Sequence, residues 1–271
     1  MDIATIKQRQ QATWASGDYS AVGTRLLPTA ELLCEAVDLR AGERVLDVAC
    51  GNGNAALAAA RRFCQVVGVD YVPALLERAS RRADAEGLEV SFQEADAEAL
   101  PFPADSFDAV LSTCGAMFAP DQQQTAAELL RVCRPGGRIG MVNWTPDSYV
   151  GELFRTIGRY VPPPPGLQPP VRWGDPDRLR ELFGPEATIS APRRSFRWRF
   201  PSPGHQVEFF TTFYGPTNRA AAALPADRAA ELKAEMLDVV KRFNVADDET
   251  LVLRMDYLEA VIHKPSTTKL G

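Results

Sequence analysis

The sequence predicts an α/β fold, a doubly wound and mostly parallel sheet with helices on both faces. Two observations carry this expectation. Between residues 43 and 144, short apolar runs of strand type alternate with stretches of helical spacing, the pattern of successive β-α-β units. The first of these units, "VLDVACGNGNAALAAA" (45–60), passes from apolar residues through glycines into an alanine-rich stretch. Right-handed crossovers then put the ligand crevice at the carboxyl ends of the strands.

Taken in order, residues 4–16 and 19–38 read as two helices, with Pro28 expected to kink or split the second. "ERVLDVAC" (43–50) is the first strand, and the helix after it runs to about Phe63. "CQVVGVDY" (64–71) and "VPALLERASRRADAEG" give the second strand and helix. "LEVSFQEADA" (88–97) and "FDAVLSTCGA" (107–116) are the third and fourth strands. A helix over 122–137 and a fifth strand, "RIGMVNW" (138–144), complete this run. Beyond Trp144 the rhythm breaks. "GELFRTIGRY" looks helical, and "VPPPPGLQPP" (161–170) is a stiff connector. "DPDRLRELFG" has Asp175 as cap, Pro176 at the first helical position and Gly184 as stop. "ATISAPRRSFRWRF" is strand-like. Residues 204–243 are helical with breaks at Pro216 and Pro225, and "LVLRMDYLEAVIHK" is a closing strand. The final "PSTTKLG" reads as a frayed tail.

Composition excludes several classes. The 271 residues carry a net charge of -5. Residues 1–144 hold 13 Lys+Arg against 19 Asp+Glu, and residues 145–271 hold 17 against 16. Neither part has the basic excess of a nucleic-acid binder. The densest basic cluster, Arg193 to Phe200, alternates from Phe196 onward and reads as a strand with one solvated face. No apolar run reaches the ~20 residues of a membrane span. The polar start shows no secretion signal, and five scattered cysteines without metal spacing fit reduced thiols in a cytoplasmic protein. No metal site is expected.

The glycine turn sets the chemical question. Gly51, Gly53 and Ala56 fit the Gly-x-Gly-x-x-Gly/Ala pattern, which suits both a dinucleotide and S-adenosylmethionine (SAM). Asp70, ending the second strand, suits a carboxylate on ribose hydroxyls in either case. Asp47 separates the two. A pyrophosphate at this turn would be repelled by a neighbouring carboxylate by roughly a kcal/mol or more, whereas the ammonium and sulfonium of SAM favour it. Asp47 can equally cap the helix or bind loop amides. Asp96 and Ala97 end the third strand, where a carboxylate and a backbone N–H can read adenine. Ser112, Thr113 and Cys114 end the fourth, where cofactor and substrate would meet.

From Glu43 to Trp144, through "VLDVACGNGN", "VVGVDY", "EADAEALPF", "SFDAVLST" and "LLRVCRPGGRIGMVNW", the chain resembles a class I SAM-dependent methyltransferase. It is most similar to the bacterial small-molecule group akin to ubiquinone and menaquinone C-methyltransferases. The resemblance implies a seven-stranded Rossmann-like sheet with an antiparallel last strand and a helical cap. It divides the chain into N-terminal helices covering the cofactor (1–40), a SAM-binding core (41–148), and C-terminal strands (149–271) with a substrate cap over about 204–243. It implies that Gly51 and Gly53, with Ala49 beside them, face the methionine part, that Asp70 binds ribose, and that Asp96, Ala97 and Glu98 border the adenine. Tyr71 would lie against one adenine face with Met117 or Leu75 opposite. Trp14 and Tyr19 would close the methionine end. Cys114 stands where the family more often has phenylalanine.

The substrate side is less explicit. Methyl transfer needs a base only when the acceptor must lose a proton. Of two histidines, His263 lies on the closing strand, and His205 opens the helical insertion as a weak candidate base beside Tyr214. Phe209, Phe210, Phe213 and Tyr214, with Trp144 and Cys114, suggest a pocket for an apolar or aromatic body. The expected activity is methyl transfer to O, N or C of a small metabolite, releasing S-adenosylhomocysteine (SAH), by a monomer or homodimer. Competing readings are a methyltransferase-fold protein that binds SAM without transfer and an NAD-dependent oxidoreductase. A protein or nucleic-acid methyltransferase fits less well, for want of a basic groove or an Asn-Pro-Pro-Tyr-type motif.

Overall fold

The structure, a computed structural model, describes residues 2–266. Met1 and residues 267–271, most of the expected tail, lie outside the described residues. Helices α1 (Ile3–Trp14) and α2 (Tyr19–Gly23) lead through a 3-10 turn (Thr24–Leu26) into α3 (Leu27–Ala36). Pro28 sits in the first turn of α3. A residue without an N–H is tolerated there and not further in, so the expected 19–38 helix is split before Pro28.

Then follow β1 (Arg44–Val48), α4 (Asn54–Ala60), β2 (Gln65–Asp70), α5 (Pro73–Glu86), β3 (Val90–Glu94) and β4 (Phe107–Thr113). After a 3-10 turn (Ala116–Phe118) come α6 (Gln122–Val132) and β5 (Cys133–Trp144). The sequence suggested a helix as far as 137. It stops at Val132 because Pro135 bars the α conformation to the residue before it, and two glycines follow. The chain continues as α7 (Tyr149–Tyr160), a 3-10 turn (Pro170–Gly174), α8 (Pro176–Phe183), β6 (Thr188–Ser190), β7 (Arg193–Phe200), α9 (Pro203–Phe213), α10 (Gly215–Ala223), α11 (Ala226–Phe243) and β8 (Leu251–His263). Asp175 caps α8 by accepting from the Asp177 N–H, as its sequence position implied.

The sheet runs β3-β2-β1-β4-β5-β8, with β6 and β7 both pairing antiparallel to β8 on its far side. These two strands are halves of one edge position, separated at Ala191 and Pro192. Seven positions result, and only β8 runs against the others. Helices α9 to α11 form one unit between β7 and β8.

Packing explains the composition of the first unit. Val45, Leu46 and Val48 of β1 are buried, and all seven residues of α4 are buried. Five of those seven are alanine, which lets α4 sit close between the sheet and α3. The cysteines are buried and unpaired. Among the described residues, no helix is long and apolar enough to cross a membrane.

Candidate active site

The site begins where β1 ends. Gly51 (φ 55°) and Gly53 (φ 83°) both adopt the left-handed conformation that glycine accepts without strain. Gly53 serves as the N-cap of α4. A Cβ added there would come within 3.0 Å of the Ala79 Cβ. Gly51 lines a cleft of about 300 Å³, whereas Gly53, expected to face the cofactor, packs against Ala79 and Phe92 and is not part of the cleft wall.

Two carboxylates face this turn. Asp47 Oδ2 accepts from the Ala56 N–H of α4 at 2.8 Å, while Oδ1 is buried without a partner. Burial pushes the Asp47 carboxyl up to about 8, against the Ala56 hydrogen bond, and the neighbouring Asp70 charge adds to the rise. The helix-capping reading accounts for Oδ2, and Oδ1 is left without a protein partner. Asp70 accepts from the Gly51 N–H at 2.8 Å and the Val72 N–H at 2.9 Å. Burial raises it to about 6, with those amides holding it down.

Along the cleft, Ala49, Tyr71, Leu75, Asp96, Ala97 and Thr113 line the wall beside Gly51, Asp47 and Asp70. Helix α1 lies across the far end. Its Lys7 pairs with Asp96 and with Glu98, both at 2.5 Å. Burial draws the Lys7 ammonium down, but the two carboxylates outweigh it and hold it above the usual lysine range. Gln11, on the same helix, donates to the Tyr71 carbonyl. Sequence reasoning missed Lys7 and Gln11, because their partners lie 60 to 91 residues away.

A second, smaller cavity of about 20 Å³ adjoins the cleft. Trp14, Tyr19, Leu26, Cys114 and Phe118 line both. Trp144, Trp198, Phe210, Tyr214, Val22 and Val150 complete the smaller one. Burial pushes the Tyr19 and Tyr214 hydroxyls and the Cys114 thiol far up, so all three are neutral.

Several expected residues lie elsewhere. The Ser112 hydroxyl is consumed by the Val48 carbonyl (2.8 Å) and the Ala116 N–H (2.9 Å), which fixes the β4 end instead of facing ligand. Met117 is fully buried beneath the 3-10 turn, and its neighbour Phe118 takes the wall. Glu98 is outside the lining and acts through Lys7. Phe209 and Phe213 contact each other at 4.9 Å with their planes tilted by 52°, and Phe209 lies under the Arg25 guanidinium, away from both cavities. His205 is exposed at the start of α9 and reaches neither cavity. It is therefore withdrawn as a base.

The methyltransferase domain family matches residues 45–137. An uncharacterised Mycobacterium tuberculosis protein is 43% identical over 85% of this chain and 86% of its own length. The demethylmenaquinone methyltransferase of Thermus thermophilus is 46% identical over 47% of this chain and 61% of its own. This chain is a class I SAM-dependent methyltransferase. In structure it is similar to the YcgJ protein of Bacillus subtilis, with a TM-score of 0.58 at 22% identity over 88% of this chain and 98% of that one. It is likewise similar to a geranyl diphosphate methyltransferase in complex with SAM, with a TM-score of 0.53 at 18% identity, over 88% of this chain and 85% of that one. The cofactor of the methyltransferase is SAM, and the cleft suits it. Asp47 Oδ1, Asn52 Nδ2 and Thr113 Oγ1 are buried polar atoms without partners, and all three residues line the cleft. Such groups cost free energy until a ligand meets them.

Proposed function

We propose that this methyltransferase modifies a small metabolite with an apolar or aromatic body, brought against the aromatic wall that the cofactor cleft shares with the smaller cavity. The observation that carries the reading is the shared wall. Trp14, Tyr19 and Cys114 border both spaces, so an acceptor held against that wall lies next to the methionine end of the cleft. When bound, SAM supplies an electrophilic methyl group. The chain supplies orientation and exclusion of water.

In this reading Gly51 carries the methionine part, with Gly53 allowing the turn beside it, and Asp47 Oδ1 receives its ammonium. Asp70 meets the ribose, and Asp96 with Ala97 meets the adenine. Tyr71 and Leu75 flank the adenine ring. The first 40 residues cover the cofactor, and α9 to α11 cap the acceptor.

Calorimetric titration of SAM, SAH and NAD tests the cofactor half, with SAM and SAH expected to bind and NAD not. A screen for SAH release tests the acceptor half. Apolar aromatic compounds should turn over, and sugars and carboxylates should not. Turnover confined to charged acceptors would overturn the acceptor reading.

A further inference from the structure

Helix α1 forms a wall of the cofactor cleft, yet little apolar surface holds it there. Lys7, Gln8, Gln10, Gln11 and Trp14 all line the cleft. Ile6 is the one buried residue of the helix. The last turn packs through Trp14 against Tyr19, Phe118 and Tyr214. The turns before it are held by polar side chains that reach three strand ends. Gln11 donates to the Tyr71 carbonyl after β2, and Gln10 to the Phe118 carbonyl after β4 at 3.2 Å. Lys7 meets Asp96 and Glu98 after β3.

We propose that Lys7 is a positioning residue for the cofactor: it latches α1 over the adenine end of the cleft by joining Glu98 to Asp96, and so sets how long the cofactor stays. The inference rests on the placement of adenine at Asp96. Glu98 is the fixed half of the latch. Its side chain is 5% exposed, and Oε1 accepts from the Asp121 N–H at 2.7 Å, which leaves Oε2 to Lys7 at 2.5 Å. Asp96 is the half that faces ligand, since it lines the cleft. Its Oδ1 accepts from the Glu98 N–H at 2.9 Å, and Lys7 donates to Oδ2 at 2.5 Å. Among the described residues, Lys7 is the only cation paired with either carboxylate.

Lifting α1 breaks both pairs at once and strands the buried Glu98 charge, a costly step. One side chain therefore carries much of the barrier to opening. Gln10 and Gln11 bond to neutral carbonyls. The Lys7 pairs involve full charges, and with Lys7 25% and Asp96 40% exposed they are open to screening by salt. Cofactor release should then be governed by ionic strength through Lys7.

The test follows SAH release by stopped-flow tryptophan fluorescence, with calorimetry of SAH and of 5′-methylthioadenosine, which keeps the adenosine and lacks the amino acid. Lys7→Met should release SAH about tenfold faster, the loss expected of a charged hydrogen bond. Lys7→Arg should stay within about threefold of the parent. Raising NaCl from about 0.05 to 0.5 M should speed release from the parent and from Arg9→Met, which removes an exposed cation of the same helix, but not from Lys7→Met. Both ligands should weaken by the same factor in Lys7→Met, because the latch acts at the adenine end. Unchanged release in Lys7→Met, the same salt response in Lys7→Met as in the parent, or weakening of SAH alone would overturn the latch. Failure of the parent to bind SAH would instead count against the cofactor site, and 5′-methylthioadenosine binding indifferent to Asp96→Ala against the adenine placement.

Discussion

With the ligand ammonium beside Asp47 Oδ1, as proposed, cofactor binding should be a proton-coupled event. In the free protein its carboxyl is raised to about 8, so at pH 7 it is about nine-tenths protonated. A ligand ammonium beside Oδ1 favours the ionised form and lowers that value toward the ordinary carboxylate range. The bound state then holds fewer protons than the free state. Binding therefore strengthens as pH rises, by up to about 1.4 kcal/mol per unit below pH 8, and levels off above it. At pH 7, SAH binding should release about 0.9 proton. Asp70, at about 6, adds only about a tenth of a proton. Calorimetry in two buffers of different ionisation enthalpy counts the protons directly. Asp47→Asn should remove most of the release and flatten the pH dependence, with affinity at pH 9 lower by roughly 1–3 kcal/mol. Proton-neutral binding by the parent protein, or unchanged release in Asp47→Asn, would refute the placement of the ammonium.

Asp70→Ala should weaken SAH binding by roughly 1–3 kcal/mol and lower the melting temperature of the free protein, because the Gly51 and Val72 amides lose their acceptor. Both Asp47 and Asp70 have raised values in the folded state. Their contribution to stability is present below about pH 4 and is lost as pH rises to about 6 and 8, so the free protein should melt at lower temperature at pH 8 than at pH 6. SAH should narrow that gap, which differential scanning calorimetry would reveal. Gly215→Ala places a Cβ 2.2 Å from the Thr13 carbonyl. It should cost about 1–3 kcal/mol in denaturant unfolding and weaken SAH binding by loosening α1 from α10. His205→Ala should change stability by less than about 0.5 kcal/mol and leave the pH–rate profile unmoved. A shifted profile would return His205 to the site.

The β1–turn–α4 unit was legible because its information is local. The apolar run, the paired glycines and the alanine helix are contiguous, and Asp47 and Asp70 end their strands in plain view. The breaks at Pro216 and Pro225 were legible for the same reason, and so was the Asp175 cap. What stayed hidden depends on contacts distant in sequence or on exact rotation. Lys7 meets Asp96 across 89 residues, and nothing near Lys7 announces a carboxylate. Met117 and Phe118 differ by one step in a 3-10 turn, and periodicity does not say which of them faces the cleft. The end of α6 was misread because apolar spacing runs on through "LLRVC" until Pro135 intervenes. Ser112 carries a residue type that binds ligands well, yet two backbone groups claim its hydroxyl.

The split edge of the sheet bears on how copies of this chain meet. Strand β7 pairs with β8 on one side, and among the described residues no strand pairs its other side. Its open backbone could template a strand from another molecule. Four exposed arginines, Arg193, Arg194, Arg197 and Arg199, stand along it. Arg193 pairs with Asp147 and Arg194 with Glu259, so two copies joined edge to edge would bring Arg197 and Arg199 of each into one ribbon, and Pro192 withholds a backbone donor where β6 hands over to β7. Uncontrolled sheet extension is thereby discouraged at the strand that carries Trp198 and Phe200 into the core.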